Sequence, residues 1–176
     1  MQLIRAGQRD DLLANCEREA VHLELRDGYA IHSEAERFGR FIATGVYDHG
    51  GDAPDRAQWL DLMRRLTTSG RRVRRARVVS EPTTAYIRFE WAGTDENVEA
   101  GEEVRWLPRR LASSIALPGN DFWLFDDRTT VFTVFTGDGE VAERQLTTDP
   151  AAVELCRSAF ETVWSIATPH GEYRPR

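Results

Sequence analysis

The residue types best suited to chemistry gather near the ends of two apolar runs. Glu81 follows "RVVS", Arg109 and Arg110 follow "VRWLP", and the loop "LPGND" carries Asn120 and Asp121. Ligands of open α/β sheets sit beyond the C-terminal ends of parallel strands. If strands at 72–80 and 104–107 are parallel neighbours, Glu81, Arg109 and Arg110 emerge at one edge, with Asn120 and Asp121 close by. Tyr86, Arg88 and Glu90 of "AYIRFEW" are expected to line the same cleft. Arginine forks, carboxylates and an amide suit a polar or zwitterionic small molecule. The expected ligand-binding set is Glu81, Tyr86, Arg88, Arg109, Asp121 and His170, all as binding groups rather than catalysts. The competing expectation is an internal ion-pair network that orders the loops. A catalytic alternative uses Glu81 or Asp121 as general base and Arg109 to hold a substrate carboxylate.

Other chemistries find less support. All 23 basic residues are arginine. Without lysine, Schiff-base catalysis, lysine general bases and P-loop phosphate binding are excluded. His22, His32, His49 and His170 show no His-x-x-x-His or Glu-x-x-His spacing, so no zinc site is expected. Asp126 and Asp127 read as turn formers, and "GDGE" has too few spaced acids for a calcium loop. No metal and no cofactor are expected. Cys16 and Cys156 read as reduced core residues.

Five arginines fall within seven positions, at 71, 72, 74, 75 and 77, in a chain of 176 residues with net charge -6. Strand alternation spreads them over both faces, beside Val73, Ala76, Val78 and Val79. No aromatic residues are interleaved as stacking platforms, and the whole chain is acidic. The run is therefore expected to be a charged strand with carboxylate partners, and direct nucleic-acid contact is not expected.

The elements that must position these groups follow from periodicity. Residues 8 to 20 place Leu12, Leu13, Cys16 and Ala20 on one helical face, and "VHLELR" alternates as a half-buried strand. "SEAERFGRFIATG" begins with capping-box spacing, Ser33 to Glu36, and ends at Gly45. "YDHGGDAPD" is a loop and the expected boundary between an N-terminal helix-strand-helix extension, 1–50, and a main α/β domain, 51–176. The extension is expected to join the same sheet or to form a dimer contact. Trp59, Leu62, Met63 and Leu66 mark a helix stopping at Gly70. Residues 81–92 carry two signals: alternation suits a strand, while Ser80 and Pro82 suit a helix start, and the helix is preferred. "DFWLFDDRTTVFTVFTGDGEVAERQL" reads as an antiparallel meander. Asp149-Pro150 opens a long helix with Val153, Cys156, Phe160, Val163, Trp164 and Ala167 as its buried stripe. The fold class is α/β, a mixed sheet flanked by helices.

The pieces "RVRRARVVSEP", "AGEEVRWLPRR", "LPGNDFWLFDD" and "AFETVW" followed by "PH" and "Y" resemble a domain-of-unknown-function family of actinobacterial proteins. That resemblance implies a regulatory setting, since such members tend to lie beside helix-turn-helix regulators. The order of elements also resembles one half of a phospholipase-D-like domain, with an N-terminal α/β extension. In that superfamily a His, any residue, Lys, four residues, Asp motif supplies the nucleophile and a cation. Laid on "GNDFWLFDD" with Asp126 as the acid, the motif puts Gly119 at the His position and Asp121 at the Lys position. The resemblance thus implies a degenerate module without the superfamily's catalytic pair, so lysine-dependent phosphodiester chemistry is excluded. The expectation is a non-catalytic module for a small polar ligand or a regulator protein, in a transcription-linked setting. A nuclease or phosphodiesterase ranks last. Four tryptophans, at 59, 91, 106 and 123, would mark a partner surface if exposed together. A homodimer is a further expected partner. With no apolar run near membrane length and no leader pattern, the expected location is cytoplasmic, away from membranes.

Overall fold

The computed structural model describes residues 1–49 and 54–176. Its centre is one mixed sheet in the order β1-β7-β6-β5-β2-β3-β4-β8. The strands are β1 (Gln2–Ile4), β2 (Glu19–Glu24), β3 (Arg72–Val79), β4 (Glu103–Pro108), β5 (Asp121–Phe125), β6 (Thr129–Phe135), β7 (Val141–Thr147) and β8 (Thr168–Pro169). Strands β2, β3 and β4 run parallel, and the remaining pairings are antiparallel. The helices are α1 (Ala6–Ala14), α2 (Ala35–Thr44), α3 (Pro54–Thr68), α4 (Ala85–Glu99) and α5 (Pro150–Ile166).

Strand β2 lies between β5 and β3, so the first 24 residues supply a central strand of this sheet. Its side chains on both faces have little contact with water: Val21 and Leu23 are buried, and so are His22 and Glu24. The half-buried strand read from its alternation is corrected accordingly, because the polar positions face other charged groups instead of water. The boundary expected at residue 50 lies outside the described residues. Strand β1 has no counterpart in the sequence reading, since three residues carry too little periodicity to register.

Helix α5 covers one face. Its Cys156, Phe160, Val163 and Trp164 pack on Val21, Leu23, Ala76, Val78, Leu107, Phe122 and Leu124. Asp149 caps it, its carboxylate accepting from the Ala152 N–H, with Pro150 in the first turn. The opposite face carries α1 and α3, whose Leu13, Met63 and Leu66 pack with Val73, Trp123, Phe125 and Val131. Beside them α4 sets Ile87 against Val79, Val104 and Trp106.

Residues 85–99 are helical, and the cap is Thr84, whose hydroxyl accepts from the Ile87 N–H, not Ser80. Helix α2 starts from a short 3-10 turn at His32–Glu34 without the Ser33 to Glu36 capping box, and it ends at Gly45 with φ 72°. It has no fully buried residue; Phe38 and Phe41 lean on Tyr86 and Phe89. Among the described residues no helix is long and apolar enough to cross a membrane.

Candidate functional site

Helices α1, α3 and α4 leave part of the sheet uncovered above β2, β3 and β5. The opening is a cleft of about 1020 Å³. Its floor is His22 and Glu24 from β2, Arg75 and Arg77 from β3, and Asp121 and Trp123 from β5. Period-2 geometry puts each pair on the same face, and the parallel register sets His22 beside Arg75 and Glu24 beside Arg77. The walls include Tyr29, Glu34, Tyr86, Phe89, Glu90 and Phe135.

The floor is an alternating chain of charges. Glu102, Arg75, Glu24, Arg77 and Glu90 form successive ion pairs, with Arg75 Nε 2.7 Å from Glu102 and Arg77 Nε 2.5 Å from Glu24. Burial works to raise the Glu24 pKa, but Arg77 and Arg75 outweigh it and hold the group well below the usual carboxylate range. Such a chain persists in a low-dielectric site because its three inner charges each have opposite charges on both sides, and Glu102 at one end also accepts from the Asn97 amide. His22 stacks on Trp123 with centroids 4.3 Å apart. Its Nδ1 lies 2.8 Å from the Phe122 carbonyl, and its Nε2 faces Glu24 at 3.2 Å.

Two further carboxyls are paired with phenols. Asp121 accepts from the Leu25 N–H at 2.9 Å and from the Tyr29 hydroxyl at 2.5 Å. Burial above all pushes its pKa up, against the Tyr29 hydrogen bond, and Glu24 adds to the rise. Glu34 accepts from the Tyr86 hydroxyl at 2.7 Å. Burial, and then the Glu90 carboxylate, raise Glu34 to about 7. Burial also drives both tyrosines upward. A carboxyl poised near neutrality can hold or release a proton at working pH.

The expected site residues separate into distinct places. Tyr86 and Asp121 meet in this cleft, joined by Glu90. The helical period explains Arg88, because Tyr86, Glu90 and Asn97 share one face of α4 while Arg88 points away, exposed, and donates to the Thr83 carbonyl at 2.5 Å. Glu81 pairs with Arg110 at the C-terminal edge of β3 and β4, where it also accepts from the Tyr173 hydroxyl at 3.3 Å. Arg109 ties that edge together, donating to the Leu25 and Val78 carbonyls at 2.7 and 2.9 Å and to Ser80 Oγ at 3.0 Å. It also pairs with Asp27 at 3.2 Å.

His170 is buried elsewhere. Its Nδ1 accepts from Trp106 Nε1 at 3.1 Å, so its Nε2 is the donor to Asp95 at 2.9 Å. Burial lowers its pKa despite Asp95. Asp126, the acid of the motif comparison, accepts from the N–H groups of Glu17, Arg18 and Glu19 at 2.8 to 3.0 Å. With Asp127 it forms the β5–β6 turn, at φ 53° and 56°. Trp106 and Trp123 are buried, and Trp59 and Trp91 are partly buried.

Sequence reasoning missed Glu24, Arg77 and Glu34 as cleft residues. The signal for the first two was the five-arginine run beside a strand with polar residues at alternate positions. Glu34 had no local signal, because its surroundings come from α4 and β3. Among the described residues, no group of three or more His, Cys, Asp or Glu side chains is placed to hold a metal ion.

A mixed sheet with helices on both faces and a charged cleft over its central strands defines an α/β domain with a candidate ligand site. The chain is similar to a phospholipase D family member, Nuc, from Salmonella typhimurium, at 12% identity over 94% of this chain and 90% of that one, with TM-score 0.53. It is also similar to the phosphatidylserine synthase of Haemophilus influenzae Rd KW20, at 13% identity over 94% of this chain and 37% of that one, with TM-score 0.48. At such identities the likeness to Nuc establishes the fold alone. Residues 7–175 match a family described as "Domain of unknown function (DUF6879)", and the chain belongs to it. No curated protein matches the chain.

Proposed function

We propose that this domain binds a small polar molecule in the cleft over β2, β3 and β5, as a non-catalytic module in a regulatory setting. The observation that carries the reading is the cleft itself: about 1020 Å³ of space floored by oriented, buried charges. A network serving stability alone closes over its charges, since space beside them forfeits packing. Of the expected binding set, Tyr86 and Asp121 belong to this cleft; Glu81, Arg88, Arg109 and His170 serve the scaffold around it. At the rim, Arg37 and Arg144 have no carboxylate within ion-pair distance among the described residues, and stand available to an anionic group on a ligand.

A second reading, carboxylate acid–base catalysis, is favoured by one observation: Glu34, at about 7, lies 2.7 Å from the Tyr86 hydroxyl. Phosphodiester hydrolysis by the fold's His and Lys pair has no support from a chain without lysine.

Native mass spectrometry on protein recovered gently from its host tests the proposal, wild type beside Tyr86→Leu. Wild type is expected to carry a small-molecule mass that the variant loses. A stoichiometric protein in place of that mass would move the function to a partner surface.

A further inference from the structure

The two ends of the cleft are not equivalent. Its rim mixes arginines and acids, including Arg9, Arg37, Arg40 and Arg144 with Glu36 and Asp48. Its inner end is lined by three aromatic rings in contact: Tyr29 lies 5.9 Å from Tyr86 and 5.1 Å from Phe135, centroid to centroid. The faces of such rings attract cations through their quadrupoles. The fold already makes one such contact here, with the Arg26 guanidinium 5.2 Å from the Phe135 centroid.

The charges behind those rings do not balance. Arg75 is bracketed by Glu102 and Glu24, and Arg77 by Glu24 and Glu90, so two guanidiniums already serve three carboxylates. Asp121 and Glu34 add two more acids, and neither is within ion-pair distance of a described arginine. Their hydrogen bonds come from neutral groups, the Tyr29 and Tyr86 hydroxyls and the Leu25 N–H. Burial without a cation partner favours either a proton on the carboxyl or an added cation.

Resting on the reading of this cleft as a ligand site, we propose that its inner end receives a primary ammonium or guanidinium group, hydrogen-bonded by Asp121 and Glu34 and flanked by the Tyr29, Tyr86 and Phe135 rings. The ligand is then an amine- or guanidine-bearing small molecule, and any carboxylate it carries lies toward Arg37 or Arg144. Binding such a cation releases protons held in the free protein. Glu34 is faced by Tyr86 and Glu90 from α4, Arg77 from β3 and Arg37 from α2. Asp121 is faced by Tyr29 and by His22 and Glu24 of β2. No cation among these pairs directly with either acid, so an incoming ammonium supplies the missing charge.

Isothermal titration of agmatine, L-arginine, succinate and inorganic phosphate tests this, in two neutral buffers of different ionisation enthalpy. Agmatine and arginine are expected to bind wild type with net proton release to the buffer, and succinate and phosphate to give no heat. Asp121→Asn should weaken agmatine about tenfold or more, the loss of a charged hydrogen-bond acceptor. Glu34→Gln should reduce the proton release. Melting curves on both variants establish that they fold, and the wild-type titrations stand without them. Binding of the anions but not the amines overturns the inference and leaves the cleft a ligand site. Binding of none of the four overturns it as well; the native mass of the host protein then tells whether the cleft reading falls with it, since a Tyr86-dependent small-molecule mass keeps that reading.

Discussion

Strand β3 meets two different environments with the same residue type. On one face Arg74 lies under α5, stacked 4.9 Å from the Phe160 centroid and 5.2 Å from that of Trp164, with Glu19 and Glu161 as partners. Those partners are 23% and 47% exposed, so water shares in solvating the ion pairs, and the space around the guanidinium is filled by rings. On the other face Arg75 and Arg77 also lie against rings, those of Trp59, Trp123 and Trp106, but their acids are less exposed, Glu24 at 9%, Glu102 at 0% and Glu90 at 18%. That face opens on the cleft. The contrast shows that burying an arginine does not make a site. A site needs buried partners and unfilled space beside them.

Removing one arginine from each face gives the largest expected difference. Arg77→Met leaves Glu90 without its arginine and Glu24 with Arg75 alone, and should cost about 3–5 kcal/mol as a broken buried pair. Arg74→Met keeps an apolar contact with Phe160 and Trp164 and leaves partners that water already reaches, so the loss should be smaller, about 1–2 kcal/mol. Urea denaturation of both variants measures the difference. Equal losses would mean that the two faces are energetically alike.

The pH dependence sharpens the same contrast. Glu24 is depressed by its arginines, so its contribution is present above about 4.5 and is lost as pH falls through its folded value. Glu34 has the opposite sign. Its raised folded pKa makes the native state hold a proton that the unfolded chain has released, so that stabilisation is full below 4.5 and gone above about 7. The Glu34 contribution should therefore decline across that window, by on the order of 3 kcal/mol, and shows as the difference between the wild-type and Glu34→Gln profiles, since His170, lowered by burial, contributes with the opposite slope to both. Denaturation midpoints measured through the window decide it; identical slopes would remove Glu34 as a titrating cleft group.

A smaller effect is expected where α2 and the segment after it dock on α4. A Cβ added at Gly93 would sit 2.5 Å from the Tyr47 ring, which must move. Gly93→Ala should cost about 1–2 kcal/mol as overpacking. Hydrogen exchange should quicken in 35–47 while the β3 amides stay protected. Uniform exchange across the protein would show that the cover over the cleft is not a separable unit.

How much of this was legible depended on the range of each interaction. The α5 stripe, the Asp149-Pro150 start and the β3 run were readable because period and cap are local. For 81–92, alternation and helical spacing coexist in "AYIRFEW", and only Thr84 capping with burial of Tyr86, Ile87 and Phe89 against α2 and the sheet resolves it. The expected cleft drew Glu81, Arg109 and Asp121 together from strand ends. In the sheet β5 lies beside β2, not β4, so Asp121 joins Glu24 and Tyr29 while Glu81 turns to Arg110.

The sequence by itself determined the α/β class, the absence of lysine chemistry and a charged strand whose arginines need acid partners, because composition and period act through neighbours a few residues apart. Which acid meets which arginine was decided by tertiary structure. Glu24 reaches Arg77, Glu102 reaches Arg75 and Glu34 reaches Tyr86 only when parallel strands and crossing helices close gaps of tens of residues. The pKa of each group then follows from the burial that this closure creates.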